Sequence, residues 1–491
     1  MTMIAISRAR RGIRPANSRW VSLVILCTGF LMIVVDATIV NVALPSIQKD
    51  LGFSQADLAW VVNAYLIAYG GLLLLSGRLG DLIGHKRIFL IGLAMFSAAS
   101  LLCGLSFSQP MLIAARFLQG IGGAVASAVI LGMVATMFPE PAERARAMGV
   151  FAFVASAGAS IGLIAGGLIT QAISWHWIFF VNLPIGLLTA VLAARIIQPD
   201  RALGLGQGAD VIGATLVTAG LMLGVYTIVE SPSYGLMSAR TIGFGVVSIV
   251  LLVAFLVRQA VIRNPILPLR LFRSRNVSLA NAVQALTIVG MFGMFFLGSL
   301  NLERVLHYGP MAIGFAFLPV ALAMGALSLW LSARLIMRFG VRTVLLAGQI
   351  LIAVALILLA AGPMDSDYAR NLLAPMVLVG IGGGLAFPAL AILAMADVGP
   401  DDAGLASGLL NTTAQVGGAL GLAVLATVST NRTNALLTEG HPLRVALSTG
   451  FHLAWGVGAA LVVAAIILSA IVFLAKSADE ADRAEELEAS A

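Results

Sequence analysis

The sequence predicts an all-α integral membrane protein of fourteen transmembrane helices, and three observations carry that prediction. The chain is 60% hydrophobic and only 10% charged, against about 25% charged residues in ordinary soluble domains. Apolar runs of roughly 20 residues, enough to cross a hydrocarbon core about 30 Å thick, recur along almost all of its 491 residues. The basic residues collect in alternate connecting loops, as they do in chains that cross a membrane repeatedly. Together these exclude a soluble enzyme carrying a single anchor.

The spans follow in order. A basic segment, MTMIAISRARRGIRPANSRW, precedes a run from Trp20 to about Leu44 that is too long for the apolar core of a signal peptide, so it is read as the first span. Apolar runs between charged or Pro/Gly-rich breaks place the first six helices near 20–44, 57–76, 88–107, 110–133, 148–170 and 176–196. Two more fall near 210–229 and 240–258, and a last six near 276–299, 311–332, 343–362, 371–395, 404–428 and 450–474. With the N-terminus placed inside, 22 of the 29 basic residues fall on the cytoplasmic side, and both termini are cytoplasmic. The loop 396–403 runs against the trend, with no basic residue and three aspartates, although acidic residues influence orientation little. Cys27 and Cys103 both lie in apolar runs and offer neither a disulfide framework nor a metal-ligand spacing. The scattered basic residues form no patch for nucleic acid.

An internal repeat divides the chain. SGRLGDLIGHKR (Ser76 to Arg87) and SARLIMRFGVRT (Ser332 to Thr343) share Ser, Arg, Leu and Gly at a constant offset of 256 residues, each after the second helix of a six-helix block. Parallel repeats of a two-domain transporter produce this arrangement. The expected organisation is an N-terminal tail 1–19, a six-helix half 20–197, two inserted helices with their linkers 198–275, a second six-helix half 276–475 and a C-terminal tail 476–491. That tail, with DEADRAEELEAS, is either a short helix or disordered.

At these residues the sequence resembles the major facilitator superfamily, in particular its fourteen-span drug:proton antiporter family, over nearly the whole chain. VDATIVNVALP (Val35 to Pro45) is similar to the characteristic first-helix motif. Gly77, Leu79, Asp81, Gly84, Lys86 and Arg87 match the gating motif between the second and third spans, with Leu82 and His85 at two usual arginine positions. ARFLQGIGGA (Ala115 to Ala124) resembles the motif whose intramembrane arginine is linked to proton coupling. GASIGLIAGG (Gly158 to Gly167) resembles the antiporter motif but has Leu163 where the family usually has proline, so the export direction rests on its glycines. WHWIFFVNLPIG (Trp175 to Gly186) and AGLASGLLNTTAQVGGALG (Ala403 to Gly421) are similar to further family segments. The resemblance implies a major facilitator fold and multidrug efflux across the cell membrane by alternating access. It implies exchange of protons for a small lipophilic, cationic substrate, with a monomer in contact with membrane lipids; transport of a lipid or other endogenous amphiphile is the alternative.

The residues carry their own argument. Asp36 is the only acidic residue deep in a span, where a charge costs at least about 2.5–3.5 kcal/mol on insertion scales, so it must face protein or a water-filled cavity. Proton and cationic substrate competing for this carboxylate would be a minimal antiport mechanism; a structural carboxylate bonded to neighbouring helices is the other reading. Arg116, the only basic residue well inside a span, either biases a carboxylate or snorkels to the outer interface. Asp81, with Lys86 and Arg87 and with Arg144 and Arg146 in the next loop as partners, forms a candidate cytoplasmic latch. Asn41, Asn63, Gln119, Asn281, Gln284, Asn411 and Gln415 are candidates for a cavity lining or for interhelical hydrogen bonds. Tyr65, Tyr69, Met291 and Phe292 are candidates for its adaptable wall. Gly158, Gly162, Gly166 and Gly167 permit close helix approach. No GxxxxGK[ST] loop is present, so the expected energy source is a proton gradient without a cofactor, and no His/Cys cluster suggests a metal or a catalytic centre.

Overall fold

The structure, a computed structural model, describes residues 16–138, 140–198, 210–235, 237–263, 265–363, 367–396 and 403–489. Every regular element among them is a helix. The first group comprises α1 (Ala16–Leu51), α2 (Gln55–Ile83), α3 (His85–Gly104), α4 (Gln109–Ala128), α5 (Ile130–Met137), α6 (Pro141–Ala172), α7 (Trp177–Phe180) and α8 (Asn182–Ile196). Next come α9 (Val211–Tyr234), α10 (Ala239–Val261) and a 3₁₀ turn at Leu269–Arg273. The last group is α11 (Arg275–Arg304), α12 (Pro310–Ala326), α13 (Ser332–Phe339), α14 (Val341–Ala360), α15 (Leu373–Met395), α16 (Ala403–Thr438) and α17 (Leu443–Ala489).

Each expected span coincides with one of these helices or with two in succession. The expected span 110–133 is interrupted after Ala128, and 176–196 is split into α7 and α8. The span at 311–332 passes from α12 through a π-helical turn, Leu327–Leu331, into α13. The backbone of 476–489 continues α17, so that part of the tail is helical. By length and composition, eleven helical stretches among the described residues can cross a membrane; the apolar stretches Asp57–Leu73, Ile161–Ala172 and Pro310–Ala326 are shorter. The protein is a multi-pass membrane protein.

Local chemistry sets the boundaries. Ser54 caps α2, its Oγ accepting from the Asp57 amide at 3.0 Å, and Pro110 and Pro310 stand in the first turns of α4 and α12, where no amide bond is lost. Gly84 and Gly340, 256 residues apart, each join two helices with φ of 106° and 81°. A side chain at either would meet the steric penalty of the left-handed region.

The packing repeats as well. In the first group α1 packs on α6 and α8, while α3 packs on α4 and α8. In the last group α11 packs on α16 and α17, while α14 packs on α15 and α17. The two groups meet along two seams, α2 with α16 and α6 with α12. The pair α9–α10 lies over the first seam, with α9 touching both α2 and α16. Thr427 of α16 donates to the Ile228 carbonyl of α9 at 3.2 Å, and Gly71 of α2 admits Thr218 so closely that an added Cβ would lie 2.7 Å from its hydroxyl.

Candidate functional site: a sealed carboxylate beside a central cavity

A cavity of about 1410 Å³ lies between the two groups. Its walls come from α1, α2 and α4 on one side and from α11 and α16 on the other. Gly77, Arg78, His85 and Gly132 line one end, the end where Arg19 of α1 pairs with Glu143 at 3.3 Å. Toward the opposite end the groups are fastened together. Gln55 Nε2 donates to Ser429 Oγ at 2.9 Å, and the Met311 amide donates to Gln171 Oε1 at 3.2 Å.

Asp36 does not face this cavity. It is completely buried and its carboxylate is enclosed by three donors from two helices. Arg116 Nη1 of α4 donates to Oδ2 at 2.7 Å, while Gln119 Nε2 and Asn182 Nδ2 of α8 donate to Oδ1 at 2.7 and 2.8 Å. Gln119 also donates to Ser100 Oγ of α3 at 2.8 Å. Arg116 is 1% exposed; its Nε donates to the Val61 carbonyl of α2 at 2.9 Å, its Nη1 also reaches Gln119 Oε1, and the Tyr65 ring covers it at 4.4 Å. Snorkelling is therefore overturned: the guanidinium points inward, because the buried carboxylate is a stronger partner than the interface. Unlike Asp36, Arg116 reaches the cavity wall. The carboxylate is thus sealed on one side of a guanidinium whose other side borders the cavity.

The structure separates the remaining candidates. Asn41, Tyr65, Tyr69, Met291, Phe292, Asn411 and Gln415 line the cavity, and Tyr69 Oη is fixed by Ser127 at 2.7 Å. Four others do not. Gln119 is spent on Asp36. Asn281 ties α11 to α16, accepting from Thr413 Oγ1 at 2.7 Å. Gln284 is buried outside the lining, and Asn63 is fully buried with neither amide atom hydrogen-bonded among the described residues. Asn63 stands beside Val62 and two residues before Tyr65, so the turn of the helix aims it away from the face those two present.

In the gating segment, Gly77 borders the cavity and Gly84 makes the turn, while Lys86 Nζ donates to the Ala194 carbonyl near the end of α8 at 2.7 Å. Arg87 is exposed. The side chains of Asp81, Arg144 and Arg146 lie outside the described residues. Gly158, Gly162 and Gly166 face α1, and Gly167 faces the start of α12: an added Cβ at Gly166 would lie 2.7 Å from the Ile39 carbonyl, and one at Gly167 2.7 Å from that of Pro310. Leu163 presents its carbonyl to Gly314 of α12 in the same seam.

Ser100 and Asn182 escaped the sequence reading. Asn182 lies inside WHWIFFVNLPIG, but only the azimuth of α8 shows that it points at Asp36. The segment 259–270 also escaped it, although Gln259, Arg263 and Ile266 line the cavity.

The comparisons with known proteins agree with this architecture. The model of the Major Facilitator Superfamily matches residues 26–422 and 306–489. The chain belongs to the Major Facilitator Superfamily. It is a membrane transporter and not an enzyme. Within the superfamily it is 37% identical over 460 residues to the puromycin resistance protein pur8 of Streptomyces alboniger, covering 93% of this chain and 91% of that one. It is 37% identical to the cephamycin export protein CmcT of Amycolatopsis lactamdurans, covering 93% of each. It is 33% identical to the multidrug resistance protein Stp of Mycobacterium tuberculosis, covering 82% of this chain and 74% of that one. Among solved structures, the inward-facing, occupied form of a bacterial homologue of the human lysosomal transporter Spinster superposes with a TM-score of 0.66 at 14% identity, covering 94% of this chain and 98% of that one. That likeness concerns the major facilitator fold.

Proposed function

We propose that this transporter exports lipophilic small molecules, antibiotics and drugs among them, in exchange for protons. The names of the relatives, which include resistance and export proteins, support the substrate class. In this reading the chain crosses the membrane fourteen times, as two six-helix halves plus an inserted pair with both termini cytoplasmic, and on that orientation the cavity opens inward; the repeated packing of the two helix groups supports it.

One observation carries the coupling: Asp36 is sealed from the cavity, yet its carboxylate holds the guanidinium that borders it at 2.7 Å. Direct competition of proton and substrate for the carboxylate finds no support in this geometry. Protonation of Asp36 instead removes the counter-charge of Arg116, and the cavity wall becomes more positive by one charge. A guanidinium keeps its own proton, so the charge cannot be relieved there. A cationic substrate is then repelled without ever touching Asp36, which makes proton and cation mutually exclusive. Among the described residues no carboxylate lines the cavity, and the aromatic faces of Phe30, Tyr69, Phe151, Phe292 and Phe295 are what it offers a lipophilic cation.

The test is proton flux in vesicles containing the purified protein, reported by an enclosed pH dye on addition of substrate. Wild-type protein should exchange protons for substrate, and Asp36→Asn, which keeps the shape but is held in the neutral form, should bind a cationic substrate more weakly and move no protons. Unaltered exchange by Asp36→Asn would remove this residue from the mechanism. The cavity's volume and lack of a described acidic group favour a second reading, transport of a neutral amphiphile. A flux response confined to neutral compounds would select it.

A further inference from the structure

The inserted pair does more than span the membrane. Asp210, at the start of α9, is 3% exposed and accepts from the Gly213 amide at 2.8 Å, from Arg258 Nε of α10 at 2.6 Å and from Gln259 Nε2 at 2.7 Å. Gln259 then turns its Oε1 to the Leu267 amide at 3.0 Å. One buried side chain thus joins the first turn of α9, the last turn of α10 and the segment that leaves them. That segment contains Pro265 and Pro268, which stiffen it, and Ile266 packs with Leu75 of α2 and Ala214 of α9. Held this way, residues 262–263 and 265–270 return to the cavity and contribute to its wall with Gly77 and Arg78, and Arg263 is exposed. Arg78, His85 and Arg270 border the same cavity and have partners of their own. Arg263 makes no ion pair among the described residues.

We infer that the linker residues 262–263 and 265–270 are a charge filter at the mouth of the substrate cavity, with Arg263 as the specificity-determining residue and Gln259 as its positioning residue. This rests on the reading of the cavity as a site for lipophilic cations. Coulomb energy grows in proportion to ligand charge, so a fixed cation at the mouth penalises a dication by about the square of the factor it imposes on a monocation. A lipophilic monocation recovers its penalty from the apolar wall. Small dications and polycations do not, and the filter keeps them out of the cycle.

The experiment measures binding of ethidium and propidium, a monocation and a dication with one shared chromophore, to the purified full-length protein by fluorescence anisotropy. Arg263→Gln should tighten ethidium about twofold and propidium about fourfold at low salt, and the difference should collapse near 1 M salt, where the screening length is about 3 Å. Arg263→Lys should retain the wild-type ratio of the two affinities. Gln259→Leu should shift that ratio in the same direction as Arg263→Gln, which a loss of stability alone would not do. Equal changes for both dyes, or a salt-independent ratio, would overturn the filter while leaving the cavity reading intact. Failure of ethidium to bind the wild-type protein would overturn the cavity reading itself, and the filter with it; failure of propidium to bind both the wild-type protein and Arg263→Gln would overturn the filter alone.

Discussion

Asp36 and Arg116 are two charges with almost no access to water, and each is affordable only because the other is present. Removing one partner of such a pair costs about 3–5 kcal/mol, since the survivor is left buried and uncompensated. Arg116→Ala should therefore lower thermal stability strongly in a scanning fluorescence melt. Adding Asp36→Asn to Arg116→Ala should restore part of that loss, because the amide carries no charge to strand; additive losses would show that the two residues do not act as a pair. The sequence exposed both residues, since a charge in an apolar run stands out by composition alone. It did not expose their donors. Gln119 and Asn182 are ordinary polar residues by type, and only helix azimuths decide that they point at one carboxylate, with Ser100 accepting from both, while Asn41 and Gln415 point at a cavity.

Helices were the most legible part of the chain, because crossing a membrane imposes both a length and an apolar composition. Their interruptions were less legible: no glycine or proline stands at the break at Val129 or in the π turn at Leu327–Leu331. Gly84 and Gly340 were legible in pattern, through the repeat, and their positive φ explains why both copies keep glycine. The seam between α1 and α6 depends on small residues in the same way. An added Cβ at Gly162 would collide with Thr38 Oγ1 and come within 2.8 Å of the Val35 carbonyl. A side chain can rotate away, but the backbone of α1 cannot without moving the helix that carries Asp36. Gly162→Ala should cost about 1–3 kcal/mol by overpacking, seen as a lower melting temperature, and Thr38→Ala, which removes the colliding hydroxyl, should relieve it only in part. Full relief by Thr38→Ala would locate the conflict at the side-chain hydroxyl rather than at the backbone.

At the scale of the whole molecule, the cavity wall includes the exposed Arg263 and Arg270, while Gln55–Ser429 and Met311–Gln171 fasten the two groups together. Alternating access requires those fastenings to part. Gln55→Cys combined with Ser429→Cys, joined by a short bis-methanethiosulfonate that forms a disulfide with each thiol and expels sulfinate, should therefore stop transport while leaving ligand binding from the other end unchanged, and neither single variant should respond. Continued transport by the joined protein would mean that this end never has to separate. The placement of α9–α10 adds a mechanical asymmetry. The inserted pair lies across the α2–α16 seam and, among the described residues, not across the seam where α6 and α12 meet through Gly167, Gly314 and the carbonyl of Leu163. An alternating-access cycle is then expected to pivot on the strapped seam and open wider at the bare one, so that a gap admitting lipid tails in mid-cycle would form on one flank of the protein and not on the other.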